Sequence, residues 1–83
     1  MYEIKILPSA QKDLDSLEKN IFERIKTKII QLKENPRLPG AIKLTAEEGY
    51  RIRIGDYRIL YRLDDKEQKI YLYRVKHRKE AYR

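Results

Sequence analysis

The chain has 83 residues, 40% of them charged, a net charge of +7 and no cysteine. That length makes one domain over residues 1–83, and the missing cysteines exclude disulfides and thiolate metal sites as sources of stability. No apolar run approaches the ~18 residues of a membrane span, and Met1-Tyr-Glu-Ile-Lys-Ile6 lacks the apolar core of a signal peptide, so a reducing cytoplasm is the expected compartment.

Residues 2–7 alternate and predict a short strand. Pro8 ends it and suits the first position of a helix, where no N–H is needed. Ala10, Leu14, Leu17 and Ile21 then follow at helical spacing. Asn20 with Glu23 resembles a capping box, which predicts that a second helix starts there. Phe22, Ile25, Ile29 and Leu32 form its apolar stripe, and Asn35 before Pro36 stops it. Residues 36–49, with Pro36, Pro39, Gly40 and Gly49, read as a loop. Strands are predicted at 50–54, 57–63 and 69–76, and a short basic tail from His77 to Arg83 closes the chain.

The order is therefore β-α-α-β-β-β, an α+β fold. A helical hairpin is expected to cover one face of a mainly antiparallel four-stranded sheet, leaving the other face open.

The stretch Tyr50-Arg-Ile-Arg-Ile-Gly-Asp-Tyr-Arg-Ile-Leu-Tyr61 carries the strongest local signal. A two-residue loop at Gly55-Asp56 fixes the register of the hairpin. Ile54 then faces Tyr57, Arg53 faces Arg58, and Ile52 faces Ile59. Strand side chains alternate faces, so Arg51, Arg53 and Arg58 leave from the same side. Like charges placed opposite one another are destabilising, so an anion is expected there, and phosphate is the obvious one.

Charge is unevenly spread. Residues 1–49 are nearly balanced at +1, whereas residues 50–83 carry +6 and six of the seven tyrosines. Cations that meet phosphates and rings that stack on bases suit a nucleic-acid surface. The same composition also fits a solvated sheet face whose tyrosines fill the core. No metal or cofactor is expected: Asp64, Asp65 and Glu67 sit in a turn without histidine partners, and no glycine-rich phosphate loop follows a strand.

Five segments together resemble the RelE/ParE toxin superfamily. They are Ala10-x-x-Asp-Leu-x-x-Leu17, Leu32-x-x-Asn-Pro36, Lys43-Leu44, the Tyr50–Tyr61 block and Val75-x-His-Arg-x-x-x-Tyr82. The resemblance implies a type II toxin held inactive by a cognate antitoxin. Its RelE-like branch cleaves mRNA in the ribosomal A site, and its ParE-like branch poisons DNA gyrase. Carried onto this chain, the RelE-like catalytic positions are Arg53, Arg58, Arg78 and Tyr82, with Arg51 completing the basic pair on the first strand of the hairpin. With all of them filled, the expectation is a metal-independent endoribonuclease. Arg51, Lys76, His77 and Lys79 are then expected to bind RNA.

The basic pair is lysine in the best-known RelE-like toxin and arginine here. Arginine stabilises charge but is effectively never deprotonated, so it is a poor base. That leaves the general base open. Tyr82 could act as base or stack on a nucleotide, and His77 is the only histidine, the residue type most often used in acid–base work.

Overall fold

The computed structural model describes residues 1–81, with side chains up to Lys79. The chain runs β1 (Glu3–Ile6), α1 (Pro8–Asp15), α2 (Lys19–Glu34), β2 (Ile42–Lys43), β3 (Tyr50–Ile54), β4 (Tyr57–Asp64), β5 (Lys69–His77) and a last helical turn, α3 (Arg78–Ala81).

Helix α1 opens at Pro8 and buries Ala10 and Leu14, one turn apart. The start of α2 differs from expectation. Asn20 and Glu23 do not make a capping box, because the helix already begins at Lys19 with Glu18 as an extended N-cap that makes no side-chain cap bond. Leu17 and Phe22 instead occupy the two positions of a hydrophobic staple, and both pack against the core. Apolar burial therefore sets the entry of the chain ahead of the polar signal. Helix α2 buries Ile25, Ile29 and Leu32 and ends at Asn35, whose φ of −148° and ψ of 96° is the extended geometry that a following proline enforces.

The sheet has five strands, in the order β1-β5-β4-β3-β2, where four were expected. The extra strand is β2, inside the stretch read as a loop: Ile42 pairs with Arg51 and Lys43 with Tyr50. Two residues are too few to show a period. Strand β1 lies parallel to β5, and the other pairs are antiparallel. Beyond β1 the edge of β5 is sealed by α1, where Asp13 accepts the Val75 N–H and the Arg74 Nε–H, each at 2.8 Å.

One face of the sheet packs on the helices. Ile52, Ile59, Tyr61, Ile70, Leu72 and Val75 meet Ala10, Leu14, Ile25, Ile29 and Leu32. Each large aliphatic side chain buried this way contributes about 1.5–3 kcal/mol.

A second set of contacts fixes the segment after α2. The buried Tyr61 hydroxyl donates to the Pro36 carbonyl at 2.6 Å. Arg37 donates to Asp65 at 2.8 and 3.2 Å and to the Tyr50 hydroxyl at 3.1 Å, and the Tyr2 hydroxyl donates to Asp65 at 2.6 Å. Burial pushes the Tyr61 phenol up to about 12, so it remains a donor across the accessible pH range. This clamp matters for function because the chain it holds leads directly into β2. Among the described residues no helix is long and apolar enough to cross a membrane.

Candidate nucleic-acid interface

The hairpin turn builds the site. Gly55 takes φ 55° at the first turn position, which is where a two-residue turn of the II′ kind requires glycine. The register follows as expected: Ile54 faces Tyr57, Arg53 faces Arg58 and Ile52 faces Ile59. Strand β5 extends the row, since Arg58 faces Lys76. Arg53, Arg58 and Lys76 thus form one line of cations across three strands on the face away from the helices, with Arg51 one step along β3.

Two shallow depressions flank this row. One, of about 200 Å³, is lined by Gly40, Ile42, Arg51, Arg53 and Arg58. The other, of about 160 Å³, is lined by Leu44, Glu47, Arg51, Arg58, Leu60 and Lys76. The short strand β2 supplies the first wall, and the loop after it supplies the second. The face expected to be open is therefore partly crossed by residues 44–49.

The remaining predicted residues divide. Arg78 opens α3, and its backbone N–H donates to the Asp56 carbonyl, which ties this turn of helix to the hairpin end of the sheet. Arg78 and Lys79 are both exposed there. Tyr82 lies outside the described residues. His77 is not brought into the row. It pairs with Tyr57 in β4 and meets that ring edge to face at 5.0 Å, so by alternation it leaves from the helix side of the sheet. Its Nδ1 accepts the Lys79 N–H at 3.2 Å.

The sequence reading missed Glu47 and the two wall residues Gly40 and Ile42. No periodicity could have pointed to them, because the fold-back of a loop depends on tertiary contacts. Glu47 also influences Tyr73 of β5, whose phenol pKa is raised by burial first and by the Glu47 charge second, against the opposing effect of Arg62. Arg62 lies over the Tyr73 ring at 5.2 Å. Chemically, the arrangement offers several cations to an anion of phosphate size. Among the described residues, no group of three or more His, Asp or Glu side chains is placed to hold a metal.

A family model described as the ParE toxin of type II toxin–antitoxin systems, parDE, matches residues 4–82. The chain belongs to the RelE/ParE toxin superfamily. It is thus a toxin of the type II toxin–antitoxin kind. Solved structures agree. A chain of the RelBE2 toxin–antitoxin complex from Mycobacterium tuberculosis is 30% identical, with a TM-score of 0.83 over 93% of this toxin and 98% of that chain. A chain of the archaeal RelE–RelB complex from Pyrococcus horikoshii is 29% identical, with a TM-score of 0.79 over 93% and 94%. The RelBE complex of E. coli shares the fold, with a TM-score of 0.82 at 24% identity over 93% and 96%. Among curated protein sequences none matches this toxin significantly.

Proposed function

We propose that this toxin is a ribosome-dependent, metal-independent mRNA endonuclease that cuts in the ribosomal A site and is neutralised by a cognate antitoxin. The observation that carries the reading is the row Arg53, Arg58 and Lys76 with Arg51 beside it, all on the face the helices leave uncovered. In the proposed reaction the ribose 2′-oxygen attacks the adjacent phosphorus, leaving a 2′,3′-cyclic phosphate and a 5′-hydroxyl. Arg53 and Arg58 hold the scissile phosphate and offset the charge that grows on it. Arg51 holds a neighbouring phosphate, and Lys76 and Lys79 steer the RNA. Arg78, at the hairpin end, stabilises the leaving side, and Tyr82 stacks on a base. His77 gains no direct role from its placement.

A surface this small cannot order an mRNA alone, so the ribosome presents the substrate and aligns its 2′-OH. That substrate places the toxin in the cytoplasm. The similar toxins described above are found in complexes with RelB-type antitoxins, and a partner with acidic side chains would neutralise the +6 of residues 50–83.

A second reading, inhibition of DNA gyrase, is favoured by the ParE description of the matching family model. One experiment separates the two. Purified toxin is added to programmed ribosomes, to naked mRNA and to a gyrase supercoiling reaction. Discrete cuts confined to ribosome-bound mRNA are expected. Intact mRNA together with DNA breaks in the gyrase reaction would replace the first reading with the second.

A further inference from the structure

Resting on the endonuclease reading, one chemical role is still unfilled: something must take the proton from the 2′-OH. A guanidinium offers no lone pair, so Arg51, Arg53 and Arg58 cannot serve. Lys76 brings an ammonium into the row, His77 stands on the opposite face, and Tyr82 lies outside the described residues. Among the described residues, one carboxylate lines the depression that Arg51, Arg58 and Lys76 share, and it is Glu47.

The loop is built to hold Glu47 there. The Leu44 N–H donates to the Gly49 carbonyl at 2.9 Å and closes the loop at its base. Gly49 sits at φ 121°, so close to β4 that an added Cβ would lie 2.8 Å from the Tyr61 carbonyl oxygen. That base is seated against the sheet, and the tip crosses β3 and β4 toward β5. The charge of Glu47 is felt at Tyr73 on β5. The Tyr73 hydroxyl itself is buried and has no hydrogen-bond partner among the described residues.

We infer that Glu47 is the general base of the proposed cleavage. Its carboxylate takes the 2′-OH proton as the bond from the 2′-oxygen to phosphorus forms. The bond from phosphorus to the 5′-oxygen breaks, and the 5′-oxygen takes a proton from solvent water. The hydroxide so formed is neutralised by the proton that Glu47 then releases. Among the described residues, the charged groups that line the depression with Glu47 are Arg51 of β3, Arg58 of β4 and Lys76 of β5, while Tyr73 of β5 feels its charge and carries Arg62 over its ring. The same cations therefore hold the phosphate and surround the base, which places acceptor and electrophile within one depression.

The test uses the full-length toxin on programmed ribosomes, with single-turnover cleavage and ribosome affinity measured separately for wild type, Glu47→Gln and Glu47→Asp. Glu47→Gln is expected to slow cleavage by about 10²–10⁴-fold. Ribosome affinity should hold or improve, because a negative charge leaves a cationic face. Glu47→Asp should recover part of the rate, and the acid limb of the wild-type pH–rate profile should vanish in Glu47→Gln. Glu47 is exposed, so the urea midpoint is expected to stay put and to rule out misfolding. If Glu47 were only a counter-ion, Glu47→Gln would change affinity and cut at the wild-type rate, and that result would overturn the assignment alone. A wild-type toxin that leaves ribosome-bound mRNA intact would remove the endonuclease reading and the assignment together.

Discussion

Arg53→Ala separates what the cation row does for the fold from what it does for the reaction. The two-residue turn makes Ile54 and Tyr57 the hydrogen-bonded pair, so Arg53 and Arg58 form the next, non-hydrogen-bonded pair, whose Cα atoms in such ladders lie about 4.5 Å apart. Facing like charges in that position destabilise by about 0.2–1 kcal/mol, and Arg53 is exposed, so solvent screens the repulsion toward the lower end. Removing Arg53 is therefore expected to leave the urea midpoint unchanged or raise it slightly, by a few tenths of a kcal/mol at low salt. The gain should fade as salt rises toward 1 M, where the screening length falls to ~3 Å. Cleavage should fall by about 10²-fold or more, because one donor to the transition-state charge is gone. Arg53→Lys should match wild type in stability and recover only part of the rate, since an ammonium lacks the planar two-donor fork. Equilibrium urea unfolding at two salt concentrations and single-turnover cleavage on programmed ribosomes test both halves. A loss of several kcal/mol in Arg53→Ala would mean that the side chain holds the fold together, and the active-face argument would fail.

Three further outcomes concern the frame around the site. Tyr61→Phe should cost about 1–3 kcal/mol, because the Pro36 carbonyl loses its donor in a buried position, and amide exchange in residues 36–43 should quicken. Gly49→Ala combines an unfavourable φ with a contact to the Tyr61 carbonyl, so it should destabilise by about 1–3 kcal/mol or more and lower cleavage as the loop shifts; an unchanged urea midpoint would refute it. The Asp65 carboxyl is lowered from 3.8 to about 2, first by the hydrogen bonds from Arg37 and next by that from Tyr2. Its folded pKa is depressed, so its contribution is complete above pH 3.8 and lost as pH falls through about 2. Asp65→Asn should accordingly flatten the acid slope of stability between those limits and leave the slope near neutral pH as it was.

Most of the frame could be read from residues alone, for reasons that are local. A two-residue turn allows one register, so the opposition of Arg53 and Arg58 followed from Gly55 and Asp56 without tertiary information. The stripe Ile25, Ile29 and Leu32 and the stop at Asn35 were likewise set by period and by proline sterics. The features that escaped are those decided at long range. Strand β2 exists because β3 offers an edge to Ile42 and Lys43, and neither residue declares it. His77 adjoins Lys76 in sequence, yet alternation sends the two to opposite faces, and only knowledge of which residues of β5 face the core assigns them. The fold-back of residues 44–49 rests on a close approach between Gly49 and Tyr61, which are distant in sequence.

The bulge in β5 shows how the core and the site depend on one another. Leu60 faces Arg74 and Tyr61 faces Leu72, so Tyr73 is an extra residue on β5. A strand of period two that buries Ile70 and Leu72 would next bury residues 74 and 76, which are Arg74 and Lys76, and would expose Val75. Inserting one residue reverses the parity. Val75 turns into the core, where it is 3% exposed, and Lys76 turns out to face Arg58. The displaced Arg74 reaches Asp13 on α1, and that same carboxylate satisfies the Val75 N–H at the edge where β1 no longer pairs. The cation row thus gains its third member from the adjustment that completes the hydrophobic core. The sequence does hold a trace of it: the apolar positions step by two from Ile70 to Leu72 and by three to Val75. A step of three inside a strand is the mark of a bulge, and here the bulge re-aims a charged side chain at the candidate site.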